Sequence, residues 1–224
     1  MAFFVRRDID ETEQFVAKAD RARQQFPLRE LFRGADRIKS SIAMIVLTGV
    51  QNFGYYGVMI WLPGFLSAQY GFSVTKSAVW TGVTVIGMAI GILVFGWLAD
   101  SIGRKPSLLI FQVGAAISVI VYSQLQDEMA LLIGGAIMGV FVNGMLGGYG
   151  ALMAELYPTE IRGTAQNVLF NIGRGIGGFG PIVVGALAAA FGFTTAIALL
   201  ATIYVLDIIV TIFLIEERRG MELE

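Results

Sequence analysis

Residues 77–106 read SAVWTGVTVIGMAIGILVFGWLADSIGRKP, and the fold turns on them. From Ser77 to Ala99 no side chain is charged. At about 1.5 Å per helical residue, that run crosses a hydrocarbon layer roughly 30 Å thick. It stops at Asp100, and a short turn carrying Gly103, Arg104 and Lys105 follows before Pro106. An uncharged stretch that ends on paired basic residues reads as a transmembrane helix emerging on the cytoplasmic side.

Working outward, the same pattern recurs over 41–66, 107–126, 129–155, 163–189 and 191–215, which makes six spans. The breaks fall at Ser73–Lys76, Asp100–Pro106, Gln126–Glu128, Pro158–Arg162 and an uncharged turn at Gly192. Of the 224 residues, 56% are apolar and 15% charged, and the mean hydropathy is +0.72. A soluble domain is normally about 25% charged. The expectation is an all-α integral membrane bundle of six transmembrane helices. The 28 glycines fit close helix packing in lipid.

Two zero counts narrow the function. Without cysteine there are no disulfides or thiolate metal sites, and without histidine no imidazole metal ligand and no Ser–His pair. No catalytic set, metal site or cofactor is expected. The net charge of −1 speaks against a nucleic-acid partner. Basic residues gather before the first span (Arg29, Arg33, Arg37 and Lys39 among them) and recur at Arg104, Lys105, Arg162, Arg218 and Arg219. That alternation puts both termini and the loops near 100–106 and 156–162 in the cytoplasm. The opening segment is no signal peptide, since Phe3-Phe4-Val5 is too short and an acidic run from Asp8 to Glu13 follows. Residues 1–39 read as a cytoplasmic amphipathic helical segment.

Three elements carry a family resemblance. Gly96 through Lys105, with Asp100, Gly103 and Arg104 in place, resembles the major facilitator signature G-x-x-x-D-[RK]-x-G-R-[RK], with Ser101 as the departure. Glu155-Leu156-Tyr157-Pro158-Thr159-Glu160-Ile161-Arg162-Gly163 is similar to the E-x-[FY]-P-T-x-x-R-G element of sugar-porter-like and metabolite:proton symporters. The tail Glu216-Glu217-Arg218-Arg219-Gly220 resembles the P-E-T-K-G ending after helix twelve, with Glu216 replacing proline. The resemblance implies helices 7–12 of the major facilitator fold: a six-helix half over 40–216 and a cytoplasmic tail over 217–224. It implies secondary transport by alternating access, with the substrate held between two halves. The missing N-terminal half would lie in cis, making this chain a fragment, or in trans. A six-span scaffold that does not transport is the alternative. The setting expected is the plasma or inner membrane.

Several polar residues lie inside the spans. Arg174 is about 18 Å beyond Arg162 along its helix, deep in the apolar layer, where an arginine costs about 2.5–3.5 kcal/mol. Asn167, Asn171 and Arg174 repeat at i, i+4, i+7 and share a face. A guanidinium flanked by carboxamides suits a small organic carboxylate as substrate. The competing reading is an internal ion pair with Asp207, which lies at similar depth. Gln51, Asn52, Tyr55 and Tyr56, among Gly49, Gly54 and Gly57, read as cavity lining on a hinged helix, and Asn143 likewise; Gln112 reads as a helix–helix hydrogen bond. Asp100, Arg104, Glu155 and Arg162 are expected to form a cytoplasmic charge network that favours one access state. Asp207 is the candidate proton carrier for symport.

Overall fold

The computed structural model describes residues 27–217, so the expected amphipathic segment before residue 27 and the tail from Arg218 lie outside the described residues. A short helix α1 (Pro27–Glu30) leads into α2 (Ala35–Tyr70), and α3 (Val74–Ile102) and α4 (Arg104–Gln124) follow. The fourth span is α5 (Glu128–Gly144) continued by α6 (Leu146–Leu156). The fifth is α7 (Thr159–Gly177) with α8 (Gly180–Phe191), and the sixth α9 (Phe193–Leu199) with α10 (Ala201–Leu214). Among the described residues, six helical segments are long and apolar enough to cross a membrane, as the six apolar runs require.

The breaks have local causes. Ser73 and Asp127 cap α3 and α5 by accepting hydrogen bonds from the backbone N–H of Lys76 (3.2 Å) and Ala130 (2.9 Å). Gly103 alone separates α3 from α4, at φ +107°, a backbone region that favours glycine. The Asp100–Pro106 break is therefore a single residue. Two helices also outrun the expected spans at their starts: α2 begins at Ala35 rather than near 41, and α7 at Thr159 rather than near 163. Charged side chains there remain in water, so helix continues where the apolar run has stopped. Before α2, Glu30 accepts from Arg33 (2.8 Å) and Arg37 (2.6 Å), and the Arg33 guanidinium foremost holds its carboxyl below the usual range.

The bundle is built on two close helix pairs, α3 with α5 and α2 with α7. A Cβ on Gly87 or Gly91 would collide with the backbone of Ala136 or Val140, so the α3 and α5 backbones touch where no side chain intervenes. Gly96, the first residue of the signature, faces open space instead. α4 packs on α5 and α10, while α10 also lies against α2. Between them sits the core, with Leu47, Phe65, Phe95, Phe111, Tyr122 and Leu169 buried.

Candidate functional site

The stripe on α7 divides from the polar residues of α2. Asn167, Asn171 and Arg174, spaced to share a helix face, are all exposed on the surface of this bundle. Both amides turn back on their own helix: Asn167 Nδ2 donates to the Gly163 carbonyl (2.8 Å) and Asn171 Nδ2 to that of Asn167 (2.7 Å). The Arg174 Nε donates to the Tyr56 hydroxyl at 2.9 Å, which fixes the guanidinium by one edge. Tyr56 in turn packs edge-on against Tyr55, with ring centroids 5.2 Å apart. The exposed face of α7 thus presents a cation and two carboxamides, with the half-buried Tyr56 of α2 bonded to the cation.

Gln51, Asn52 and Asn143 lie elsewhere. Gln51 Nε2 donates to Asn143 Oδ1 at 2.7 Å across the α2–α5 contact, with Gln51 only 1% exposed. Asn52 is buried too, and its Nδ2 donates to the Thr48 carbonyl (2.8 Å). The Gln51–Asn143 bond ties α2 to α5, whereas Asn52 turns back on its own helix. The glycines expected to hinge this helix are instead contact points: Gly54 abuts Tyr204, and Gly57 lies against Val184 and Leu200. Nor does Pro63 interrupt α2.

The fifth span, expected as one helix over 163–189, breaks within its run of glycines. α7 ends as Gly178 N–H donates to the Arg174 carbonyl (3.0 Å), and α8 starts at Gly180. Beyond the break, Trp61 Nε1 donates to the Pro181 carbonyl at 2.7 Å and fastens α8 to α2.

The ion pair between Arg174 and Asp207 does not form. Asp207 is fully buried on α10, where it accepts from Gln112 Nε2 at 3.1 Å; the same nitrogen donates to Thr211 Oγ1 at 2.7 Å. Gln112 thus makes the helix–helix bond expected of it, to a partner the sequence did not reveal. Among the described residues no carboxylate lies within ion-pair distance of Arg174.

Where α3 meets α4, Arg104 binds Asp100 Oδ1 through Nη1 (2.7 Å) and Glu155 Oε1 through Nε (3.1 Å), joining α3, α4 and α6. Arg162 is half-buried in the first turn of α7. Asp100 meets its cation but does not cap α4. That role falls to Glu217, whose carboxylate accepts from the backbone N–H of Arg104 (3.3 Å) and Lys105 (2.9 Å). The signal for this contact lay only in the tail motif, whose partner the sequence did not name.

Six apolar spans, a polar stripe on one outer face and a charge cluster at one end define a polytopic α-helical membrane protein. The Major Facilitator Superfamily model matches residues 44–223, and the chain belongs to that family. It is 58% identical, over its whole length and 57% of the relative's, to a protein named for metabolite transport in Haemophilus influenzae. It is 28% identical, over its whole length and 52% of the relative's, to one named as a 4-methylmuconolactone transporter in Cupriavidus pinatubonensis. Its fold is similar to the inward-open xylose transporter XylE from Escherichia coli (TM-score 0.63, 19% identity, 80% of this chain and 48% of that one). The chain spans about half the length of the curated relatives it matches.

Proposed function

We propose that this chain is the C-terminal half of a proton-coupled secondary transporter that moves a small organic carboxylate by alternating access. The second six-helix half stands in cis or in trans, and both termini face the cytoplasm of a plasma or inner membrane. The observation that carries the reading is the setting of Arg174. Its Nε is committed to Tyr56, while the side chain is exposed on α7, as are those of Asn167 and Asn171. A cation deep in a membrane is costly unless an anion meets it. A carboxylate fits the fork in two parallel hydrogen bonds.

Tyr55 and Tyr56 would flank the ligand, with Gln51, Asn52 and Asn143 as the polar layer behind them. Gln51 Oε1 has no hydrogen-bond partner and supplies spare acceptor capacity there. Asp100, Arg104, Glu155 and Arg162 would stabilise one access state, a role that needs only a difference between states. Asp207 is the proposed proton carrier. The names of the two relatives, for metabolite and methylmuconolactone transport, support a small-metabolite cargo.

The test is uptake by the complete transporter in proteoliposomes, using a panel of radiolabelled unsaturated and aromatic carboxylates with the matching amides as uncharged controls. Carboxylates are expected to enter and amides not. Arg174→Ala should abolish uptake, and Arg174→Lys should retain part of it at raised KM. Unchanged KM in Arg174→Ala overturns the carboxylate reading. Absence of any transport from a folded complete protein favours the scaffold.

A further inference from the structure

Three oxygens lie buried together in name but not in bond. Asp207 Oδ1, Gln112 Oε1 and the Tyr204 hydroxyl each lack a hydrogen-bond partner, and all three residues are fully buried. They are not scattered. Tyr204, Asp207 and Thr211 fall at i, i+3, i+7 on one face of α10. Gln112 of α4 already bridges Asp207 to Thr211. Buried polar atoms are nearly always satisfied, so three orphans in one cluster ask for a reason.

Their hydrogen-bonding capacities supply one, because they complement each other in two ways. With Asp207 ionised, Oδ1 needs a donor and the Tyr204 O–H needs an acceptor, one turn away on the same helix. With Asp207 protonated at Oδ1, the acid becomes a donor and Gln112 Oε1 is the idle acceptor, while the Tyr204 hydroxyl is released. One proton therefore chooses between two arrangements. The released hydroxyl has a defined neighbour, since it occupies the notch at Gly54 on α2, where a Cβ would collide with it. Two residues on, Tyr56 holds Arg174.

We propose that Asp207, Gln112 and Tyr204 form a proton-binding switch whose state α2 reads through the contact of Tyr204 with Gly54. A proton taken from water forms the Asp207 Oδ1–H bond, and its release restores the carboxylate; no other bond is made or broken. Few other groups address Asp207. From α4 comes Gln112, whereas Lys105 of that helix donates to the Ile212 carbonyl (2.8 Å) at the cytoplasmic end. From α6 comes Tyr149, whose hydroxyl donates to the Leu47 carbonyl of α2 (3.2 Å). α2 contributes Gly54, and α9 has no titratable side chain.

The purpose of the switch rests on the proton-coupled reading above, but its test needs no substrate and can fail separately. The probe is the proton itself. Infrared difference spectra of the complete transporter, stepped in pH, should show the carbonyl stretch of a protonated carboxylic acid appear and disappear. Asp207→Asn should remove that band. Protection of the α2 amides around Gly54 from hydrogen exchange, taken relative to the intrinsic rate at each pH, should change with pH in the unmodified protein by about tenfold. Tyr204→Phe, which keeps the ring and its packing, should flatten that dependence while the band persists. A band that survives Asp207→Asn, or α2 protection relative to the intrinsic rate that still follows pH in Tyr204→Phe, overturns the proposal. Lost uptake in Arg174→Ala with the infrared band intact would leave both readings standing, and unaltered uptake there would remove only the carboxylate.

Discussion

Glu217 closes over the first turn of a helix more than a hundred residues before it: its carboxylate oxygens accept from the backbone N–H of Arg104 and of Lys105. A helix start leaves several N–H groups without partners and carries partial positive charge, so a carboxylate is a natural cap. Gly103 makes room for it, because a Cβ there would lie 2.6 Å from a Glu217 oxygen. Glu217→Ala is expected to speed hydrogen exchange of the amides at 104 and 105 by about threefold to tenfold, the scale of one lost cap. Glu217→Gln should keep part of the protection. Unchanged exchange at both amides would show that water serves equally well.

The pairing of Tyr56 with Arg174 sets the aim of the guanidinium. Tyr56→Phe should raise KM for a transported carboxylate by about 3–10-fold with kcat less affected, the effect of one hydrogen bond worth ~1 kcal/mol. Uptake kinetics at several substrate concentrations separate the two parameters. An equal fall in kcat with constant KM would place Tyr56 in the transport step instead.

Gln112 shows how buried polar groups depend on each other. Gln112→Leu leaves Asp207 and Thr211 without their shared donor and should cost about 1–3 kcal/mol. The double substitution Gln112→Leu with Asp207→Leu removes both sides of the bond and should recover much of that loss. Thermal unfolding in detergent measures both, and strictly additive losses would mean that the bond carries no coupling energy.

Glycines in α3 make a contrasting pair. Gly91→Ala forces a methyl group into the Val140 backbone and should destabilise by about 1–3 kcal/mol. Gly96→Ala, five residues on and facing open space, should be neutral or slightly stabilising, because alanine is the better helix former. Comparable melting curves for the two variants would contradict the close packing of α3 on α5.

The spans were readable because charge is excluded from lipid over about 20 residues at a time, so the runs announce themselves. Their ends were not, since a helix such as α2 continues into water with Asp36, Arg37 and Lys39 and gives no apolar signal there. Spacing placed Asn167, Asn171 and Arg174 on one face correctly. Depth misled where direction was needed: Arg174 and Asp207 stand at similar heights, yet one faces out from α7 and the other into the contact with α4. A sequence gives height along a helix through the rise per residue, but the rotation of one helix relative to another is set by packing. The same limit hid the bond between Gln51 and Asn143, whose residues lie far apart in the chain.

The length of α2 has a mechanical meaning. Its 36 residues extend over about 54 Å, well beyond a hydrocarbon layer of about 30 Å. The overhang carries Lys39, which meets Glu216 at 3.2 Å, and Arg37, which meets Glu30. A rod that long, pivoting near the membrane midplane, magnifies small tilts into large sweeps at its tip. Ion pairs at that tip lie where leverage is greatest, so even weak ones can brake the whole beam.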